Sequence, residues 1–475
     1  MSALPQLRLY EKFAYGSGEV AENIKNYAIS LFILFYYNQL LGLSGSLVGI
    51  SLLIALSVDA ITDPLTGAIS DRWQSRWGRR HPFMLLSILP LGITFYLLFA
   101  PPEGLSQWGL FVWLTVFGIA VRFALTLFHV PYMALGTELV HGYTERTVVA
   151  QFRFGMGTFG QLAVYALAFL VFFTGAKGQW QATAYPPYAA SLALMSVAVM
   201  LSTTLGTKRF IPYLPTQKRQ DKASVVGLFK DWSGGFANAS FRWYISGMLV
   251  LYIMVGVDAS LMLYVGSYIW ELDSIQLFIY STATVVGYVF GSLFTKRLHH
   301  RFDKKPILMF GVASWAIWQI IPVTAYLVDL MPAPGTATIV LVLSAMRIIQ
   351  SAGTVQALVT GTSMMADIAD QHELNTGHRA EGIFFGTLSF AKKATSGFGK
   401  FAAGVALDLI AWPTGSNIAP ADVPRETLVW LALLYGPIVS AFFLVSLWCI
   451  SRYTITRFVH ENIMQKLKER RQSML

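Results

Sequence analysis

The stretch SVDAITDPLTGAISDRWQSRWGRRHPF, residues 57–83, decides how the chain is read. An apolar run entering from Val48 carries two carboxylates, Asp59 and Asp63, then breaks into the arginines Arg72, Arg76, Arg79 and Arg80 around Gly78. Four residues apart on a helix, the two acids share one face about a turn from each other. A carboxylate in lipid costs several kcal/mol unless it faces a cavity, a cation or a proton, so this pair is the first functional candidate. The arginine cluster cannot cross a bilayer. It stays in the cytoplasm and orients the segments on either side.

Composition agrees. With 475 residues, 55% of them hydrophobic and 13% charged, and a mean hydropathy of +0.54, the chain is too apolar for soluble domains of that length and too long for one membrane hairpin. It reads as an all-α polytopic membrane protein. The net charge of +10 lies in short clusters between apolar runs, the pattern of cytoplasmic loops, and this argues against nucleic acid as a partner. The single cysteine, Cys449, rules out an intrachain disulfide and a cysteine metal site. The first fifteen residues include Arg8, Glu11 and Lys12 and show no long apolar core or small-residue cleavage site, so no cleaved signal peptide is expected and the first membrane helix is expected to act as the insertion signal.

Apolar runs long enough to cross a bilayer, about 20 residues each, fall near 20–42, 46–70, 82–100, 107–135, 151–175 and 186–206. After a polar segment, further runs fall near 243–267, 274–296, 306–328, 335–364, 383–411 and 427–452. The pattern gives a six-helix half over 1–207, a cytoplasmic linker over 208–242, a second six-helix half over 243–453 and a cytoplasmic tail over 454–475. Basic residues gather in alternate loops, whereas the intervening loops hold only Lys177 and Arg425, so both termini are cytoplasmic. GAISDRWQSRWGRRHPF from Gly67 and GSLFTKRLHHRFDKKP from Gly291 align with one gap, each joining the second span of its half to the third. Two such pseudo-symmetric halves around a central cavity make the major facilitator fold of secondary transporters. Gly155, Gly157 and Gly160 fit close helix packing in lipid.

Three stretches carry a more specific likeness: YGSGEVAENIKNY from Tyr15, the Asp59 stretch itself, and ADIADQHELNTGHRAEGIFFGTLSFAKK from Ala366. In the third, Asp370, Glu373, Gly377, Arg379, Glu381, Gly382 and Lys393 keep the family's spacing. The chain thereby resembles the glycoside–pentoside–hexuronide:cation symporters, the melibiose permease family. That resemblance implies a symporter, not an enzyme, that moves a sugar or sugar derivative with H+ or Na+ and needs no cofactor. It implies that Asp59 and Asp63 form the cation site with Thr62 between them and Thr126 from the fourth span. Hard oxygens suit sodium, and the mutual repulsion of an empty acid pair favours a shared proton. Lys393 matches the family's coupling lysine on the eleventh span. Lys392 precedes it, and since adjacent helical residues diverge by about 100°, one of the two is expected to face the cavity.

For substrate, the likeness carries over Asn23, His129 and Arg153. Melibiose permease has aspartates at the first two positions, whereas here neither is acidic and Glu19 lies one turn before Asn23. With Arg122 and Arg347 also inside apolar runs, the cavity shifts toward positive charge. Arginine grips a carboxylate, sulfonate or phosphate at two points, so an anionic substrate is favoured. Asp258 and Glu19 stand against this, since either can pair with an arginine. His129 is open to three roles: proton relay, substrate donor, or a polar residue tied to backbone.

Asp71, Arg72, Arg76, Arg79 and Arg80, and in the other half Asp370, Arg379 and Glu381, can make the cytoplasmic salt bridges that hold one face closed while the halves rock. The basic tail from Arg457 to Arg471 reads as an amphipathic helix on the leaflet. The expected setting is a bacterial inner membrane and the expected unit a monomer in the bilayer with a small-molecule substrate. The alternative, on the same fold, is a carrier of lysolipid-like amphiphiles.

Overall fold

A computed structural model describes residues 5–140, 143–175, 178–214, 238–377, 381–415 and 418–473. Most of the linker lies outside them, as does Arg379; Glu381 begins a helix, but its side chain is also outside the described part. Helices α1 to α6 are Leu9–Leu34, Gly45–Arg72, His81–Leu98, Gln107–Glu138, Tyr143–Ala166 and Tyr185–Gly206. Helices α7 to α11 are Ala239–Tyr264, Ser274–Arg301, Lys304–Leu327, Ala337–Thr376 and Glu381–Leu409. The twelfth, α12, starts as Arg425–Leu433 and resumes as Val439–Ser451. All twelve expected spans are helices. Starts are set by polar caps: Ser106 accepts from the Gly109 amide, and Asp273 and Gln276 close a capping box on α8. Gly377 ends α10 in the left-handed conformation, φ 79°, which favours glycine.

Prolines 64, 90, 131 and 322 lie inside helices, as membrane helices tolerate when neighbours meet the freed backbone groups. Wide π turns extend α1 over Phe35–Leu40, α5 over Leu167–Phe172 and α7 over Val265–Ile269, and one joins the two parts of α12 over Leu434–Ile438. The first helix of each half therefore carries one at the same place.

The packing repeats. In the first half α1 packs on α5 and α6, α4 on α2 and α3, and α3 on α6; in the second, α7 packs on α11 and α12, α10 on α8 and α9, and α9 on α12. Between the halves α2 meets α11, α5 meets α8 and α1 meets α7, a set that maps onto itself when the halves are exchanged. Small residues set the closest approaches. A methyl group on Gly49 would sit 2.6 Å from Phe401 Cα, and one on Gly160 would sit 2.9 Å from Val20 O, so α2–α11 and α1–α5 are held backbone to backbone. Gly157 likewise abuts Asn23, but Gly155 faces open space.

Among the described residues, ten helices are long and apolar enough to cross a membrane. The two that fall short are α1 and α11, which carry Glu19, Glu22 and Lys25, and Lys392, Lys393 and Lys400. These charges point inward to the region between the halves.

Hydrogen bonds joining the halves cluster at the outer end. Gln39 accepts from Trp412 Nε1 at 2.6 Å, Tyr264 donates to Asn38 at 2.8 Å and Gln179 to Ser267 at 2.9 Å. Asp408, near the end of α11, caps α2 across the boundary: its oxygens accept from the Gly45 and Ser46 amides at 2.8 Å and from the Ser44 and Ser46 hydroxyls. Deep in the membrane Lys393 ties the halves through Asp63 and Asp59.

At 40 residues, α10 is about 60 Å long and projects into the cytoplasm. There it receives the tail helix α13, Arg457–Ser473, whose Ile463 and Leu467 are buried. His460 lies 3.1 Å from Asp370 and Arg471 lies 2.8 Å from Glu373. The tail is thus pinned to protein instead of lying free on the leaflet, because α10 offers it both an apolar seat and acids.

Candidate functional site

Halfway along α2, Asp59 and Asp63 turn toward α4. Thr126 Oγ1 lies 2.9 Å from Asp59 Oδ1 and 2.8 Å from Asp63 Oδ1. From the other half, Lys393 Nζ pairs with Asp63 Oδ2 and reaches 3.4 Å from Asp59 Oδ2. Arg122, one turn before Thr126 on α4, brings Nη1 to 3.5 Å from that same Asp59 oxygen. Asp59, Thr126 and Arg122 are buried, while Asp63 and Lys393 keep 26% and 31% of their side chains accessible, so the site opens to water on the Asp63 side. The expected repulsion between the acids is met by the protein itself, since two carboxylates face two cations.

The Thr126 contacts carry further chemistry. A hydroxyl has one proton to donate. With carboxylate oxygens at hydrogen-bonding distance on both sides, the second contact needs a proton on a carboxyl or a small cation nearby. Thr62 does not contribute as expected, because its hydroxyl donates to the Asp59 main-chain carbonyl at 3.2 Å, within its own helix.

Nearer the cytoplasm, α1, α4 and α5 bring Glu19, Asn23, His129 and Arg153 together. Arg153 donates from Nε and Nη2 to one oxygen of Glu19, at 3.0 and 2.8 Å, and lies over the Tyr132 ring at 5.6 Å. Asn23 donates to the Glu19 carbonyl at 3.0 Å. His129 Nε2 is 3.9 Å from the other Glu19 oxygen, too far for a hydrogen bond. Neither it nor the buried Tyr132 hydroxyl has a hydrogen-bond partner, and both atoms are closed off by the surrounding protein.

Two arginines expected here stand elsewhere. Arg122 faces Asp59, two turns along α4 from His129. Arg347 lies in the second half, where Nη2 reaches Asp258 at 3.2 Å, Nε donates to Thr284 at 3.1 Å and Nη1 to Gln350 at 2.8 Å. Gln319 donates to Asp258 at 3.1 Å and accepts from Gln350 at 2.8 Å, which closes the network. A buried pair this extensively hydrogen-bonded can serve as a structural device of the second half, apart from the Glu19–Arg153 cluster.

A membrane protein with this double six-helix packing, and with acids and a lysine meeting between the halves, invites comparison with known transporters. The model of the family described as MFS/sugar transport protein matches residues 14–457. The chain belongs to that family. Among its relatives, an uncharacterized symporter, sll1374, of Synechocystis is 26% identical over 98% of both chains. A putative glycoside/cation symporter of Escherichia coli, YagG, is 25% identical over 98% of this chain and 96% of its own. Of solved structures, the inward-open xylose transporter XylE of Escherichia coli superposes with a TM-score of 0.61 at 14% identity, over 94% of this chain and 96% of that one. As a family member the chain is a multi-pass membrane transporter with a small-molecule substrate, and its resemblance to the glycoside–cation symporters holds.

Three charged side chains near the site, Glu22, Lys25 and Lys400, escaped the sequence reading, and a fourth, Lys392, stands differently than expected. Glu22 and Lys25 pair on α1 at 3.0 Å, and Glu22 lies within electrostatic reach of Lys393 and His129. Lys392 is accessible to water yet deep among protein atoms, as a side chain in a flooded cavity must be; the carboxylates acting on it are Glu22 and Glu19. Both neighbouring lysines thus face the interior, because α11 borders α1 as well as α2. Lys400, two turns beyond Lys393, is buried with Arg122 and Lys25 as its nearest charges. Four acids, Glu19, Glu22, Asp59 and Asp63, are matched by Arg153, Lys25, Arg122 and Lys393. Lys392 and Lys400 make no ion pair among the described residues.

The cytoplasmic charges pair within their own halves. Arg79 and Arg80 reach Glu138 at 2.7 and 3.0 Å, and Arg80 also reaches Asp71 at 2.5 Å. Lys304 holds Asp367 at 2.6 Å in the corresponding place of the second half. Arg72 and Arg76 are exposed and make no ion pair among the described residues.

Proposed function

We propose that this chain is a cation-coupled symporter that takes up an anionic sugar derivative, such as a uronate or a sulfonated sugar, across a bacterial inner membrane. The observation that carries the reading is the balance of charge in the cavity: every acid has a cation of its own, and Lys392 is left facing water without one. A water-facing ammonium with no ion pair of its own in a cavity is a ready partner for an anion, and a substrate carboxylate or sulfonate supplies one. The part-exposed side chains of Asn23 and His129 then offer hydrogen bonds to sugar hydroxyls.

Coupling follows from the same geometry. H+ or Na+ entering between Asp59, Asp63 and Thr126 competes with the Lys393 ammonium for Asp63. Released, Lys393 turns toward Glu22 or the bound anion. Since Lys393 also ties α11 to α2, its release loosens one half from the other and lets a monomer alternate access by rocking of residues 1–207 against 243–453. Cytoplasmic pairs such as Arg80–Asp71 keep each half rigid during that motion.

The test is counterflow in proteoliposomes, with neutral sugars, uronates, sulfonated sugars and lysolipids in parallel, under an imposed pH gradient or a sodium gradient. Exchange of a uronate or sulfonate, accelerated by one of the two gradients, is expected. Preferential exchange of the neutral sugar refutes the anionic reading, and exchange of lysolipid alone refutes the sugar reading.

A further inference from the structure

Helix α10 is lined with small residues on two sides. A methyl group on Gly291 of α8 would meet Ala352 Cα of α10 at 2.7 Å, and one on Gly311 of α9 would meet the Gly353 carbonyl at 2.7 Å. Both helices therefore press onto α10, and they make little contact with each other. The gap between α8 and α9, floored by α10, is a groove of about 530 Å³. Its walls are apolar, with Phe294, Phe302, Phe310 and Ile317 exposed on the outer surface of the bundle. On α8 and the residue that follows it the lining runs from Gly291 to Phe302. At 1.5 Å per residue that is about 16 Å, close to half of the ~30 Å hydrocarbon core. The groove is therefore one leaflet deep, and the positive-inside rule makes that leaflet the cytoplasmic one.

At its mouth stand Arg297 and Arg301, four residues apart and so on one face of α8. Both are exposed, and neither meets an acid, hydroxyl or carbonyl among the described residues. The next basic residue of the turn with an ion pair, Lys304, is by contrast tied to Asp367 at 2.6 Å. On the groove floor the buried Gln356 donates to the Gly291 carbonyl at 2.6 Å but leaves its own Oε1 without a donor.

We propose that this groove is a binding site for an anionic phospholipid of the cytoplasmic leaflet, its acyl chain between α8 and α9 and its phosphodiester on Arg297 and Arg301. Two guanidiniums grip the phosphate oxygens, and the acid nearest in the chain, Asp303, already accepts from the Arg457 amide at 3.1 Å with that guanidinium 4.0 Å away, which makes it a weak partner for the ammonium of a zwitterionic headgroup. A headgroup with free hydroxyls, such as phosphatidylglycerol, fits this chemistry.

The experiment is native mass spectrometry of the full chain from nanodiscs of mixed phosphatidylglycerol and phosphatidylethanolamine, with thermal unfolding in detergent as lipid is added back. The unmodified chain should retain one phosphatidylglycerol more than Arg297→Gln/Arg301→Gln. The double variant should bind that lipid about thirtyfold more weakly, the ~2 kcal/mol that two basic side chains contribute at an anionic headgroup. Ala313→Trp, which fills the groove and leaves both arginines, should lose the lipid as well. Equal retention of the two lipids by the unmodified chain, or retention untouched by the arginine variant, overturns the proposal. So does full competition by inorganic phosphate with Ala313→Trp behaving as the unmodified chain, since the arginines would then be a site for free anions.

Discussion

Removing Asp408 should open the outer face of the carrier. The carboxylate belongs to α11, yet its hydrogen bonds go to the first amides of α2, so it caps a helix only while the outer ends of the halves touch. Loss of a helix N-cap costs about 0.5–2 kcal/mol. Asp408 is partly exposed, and in the open form water replaces its partners, so about 1–2 kcal/mol is the proper scale. That amount acts only on the outward-closed state and shifts the balance toward the outward-open one by about 5–30-fold. The assay is labelling by a membrane-impermeant maleimide of Asn23→Cys, a cavity position, in a Cys449→Ser background. With Asp408→Ala added, labelling from outside should accelerate by that factor, and Asp408→Asn should fall between. A rate that stays unchanged refutes the latch. So does an equal acceleration from inside and outside, which would report general loosening.

Three further outcomes follow from the site. Asp59→Asn and Asp63→Asn should each abolish gradient-driven accumulation in proteoliposomes while sparing some exchange of bound substrate; full uphill accumulation in either variant removes that residue from coupling. Lys392→Gln should weaken binding of the anionic sugar by about 10–100-fold by calorimetry, the scale of one charge-assisted hydrogen bond, and leave neutral analogues unaffected; unchanged affinity would discard Lys392 as the anchor. Arg153→Ala should weaken the same binding, whereas Glu19→Gln, which frees the guanidinium, should strengthen it. A loss in both would mean that the Glu19–Arg153 pair shapes the cavity as a unit.

The twelve helices were legible because each needs a long apolar run, and hydrophobic length is written locally. That Asp59, Asp63, Thr126 and Lys393 meet was also legible, two from their shared helical face and two from the family likeness. Arg122 was misplaced although a signal existed: it lies four residues before Thr126, so a face already assigned to the cation site had to carry it too. The same spacing rule places Glu22 with Glu19, and Lys400 seven residues after Lys393. Lys392 was misjudged for a different reason. The 100° separation is real, but a helix bordered by two others around a cavity presents more than one face to it. That Asp258 can pair with an arginine was open from the sequence; which arginine it meets, and that Asp408 meets α2, depends on which helices are neighbours, which no single segment records. The π turns depend on such packing as well.

Lys392 also bears on what membrane voltage can do for such a carrier. Its charge travels with the protein in both directions of the cycle. A monoanionic sugar bound with one cation leaves the loaded carrier at the same net charge as the empty one, so a full turn moves no charge across the membrane. A neutral sugar bound with one cation would move one charge, which gains ~2.3 kcal/mol for every 100 mV. A carrier built for the anion forgoes that pull. Its accumulation is set by the concentration gradient of the coupling ion alone, and it keeps working when the membrane is depolarised but the ion gradient persists.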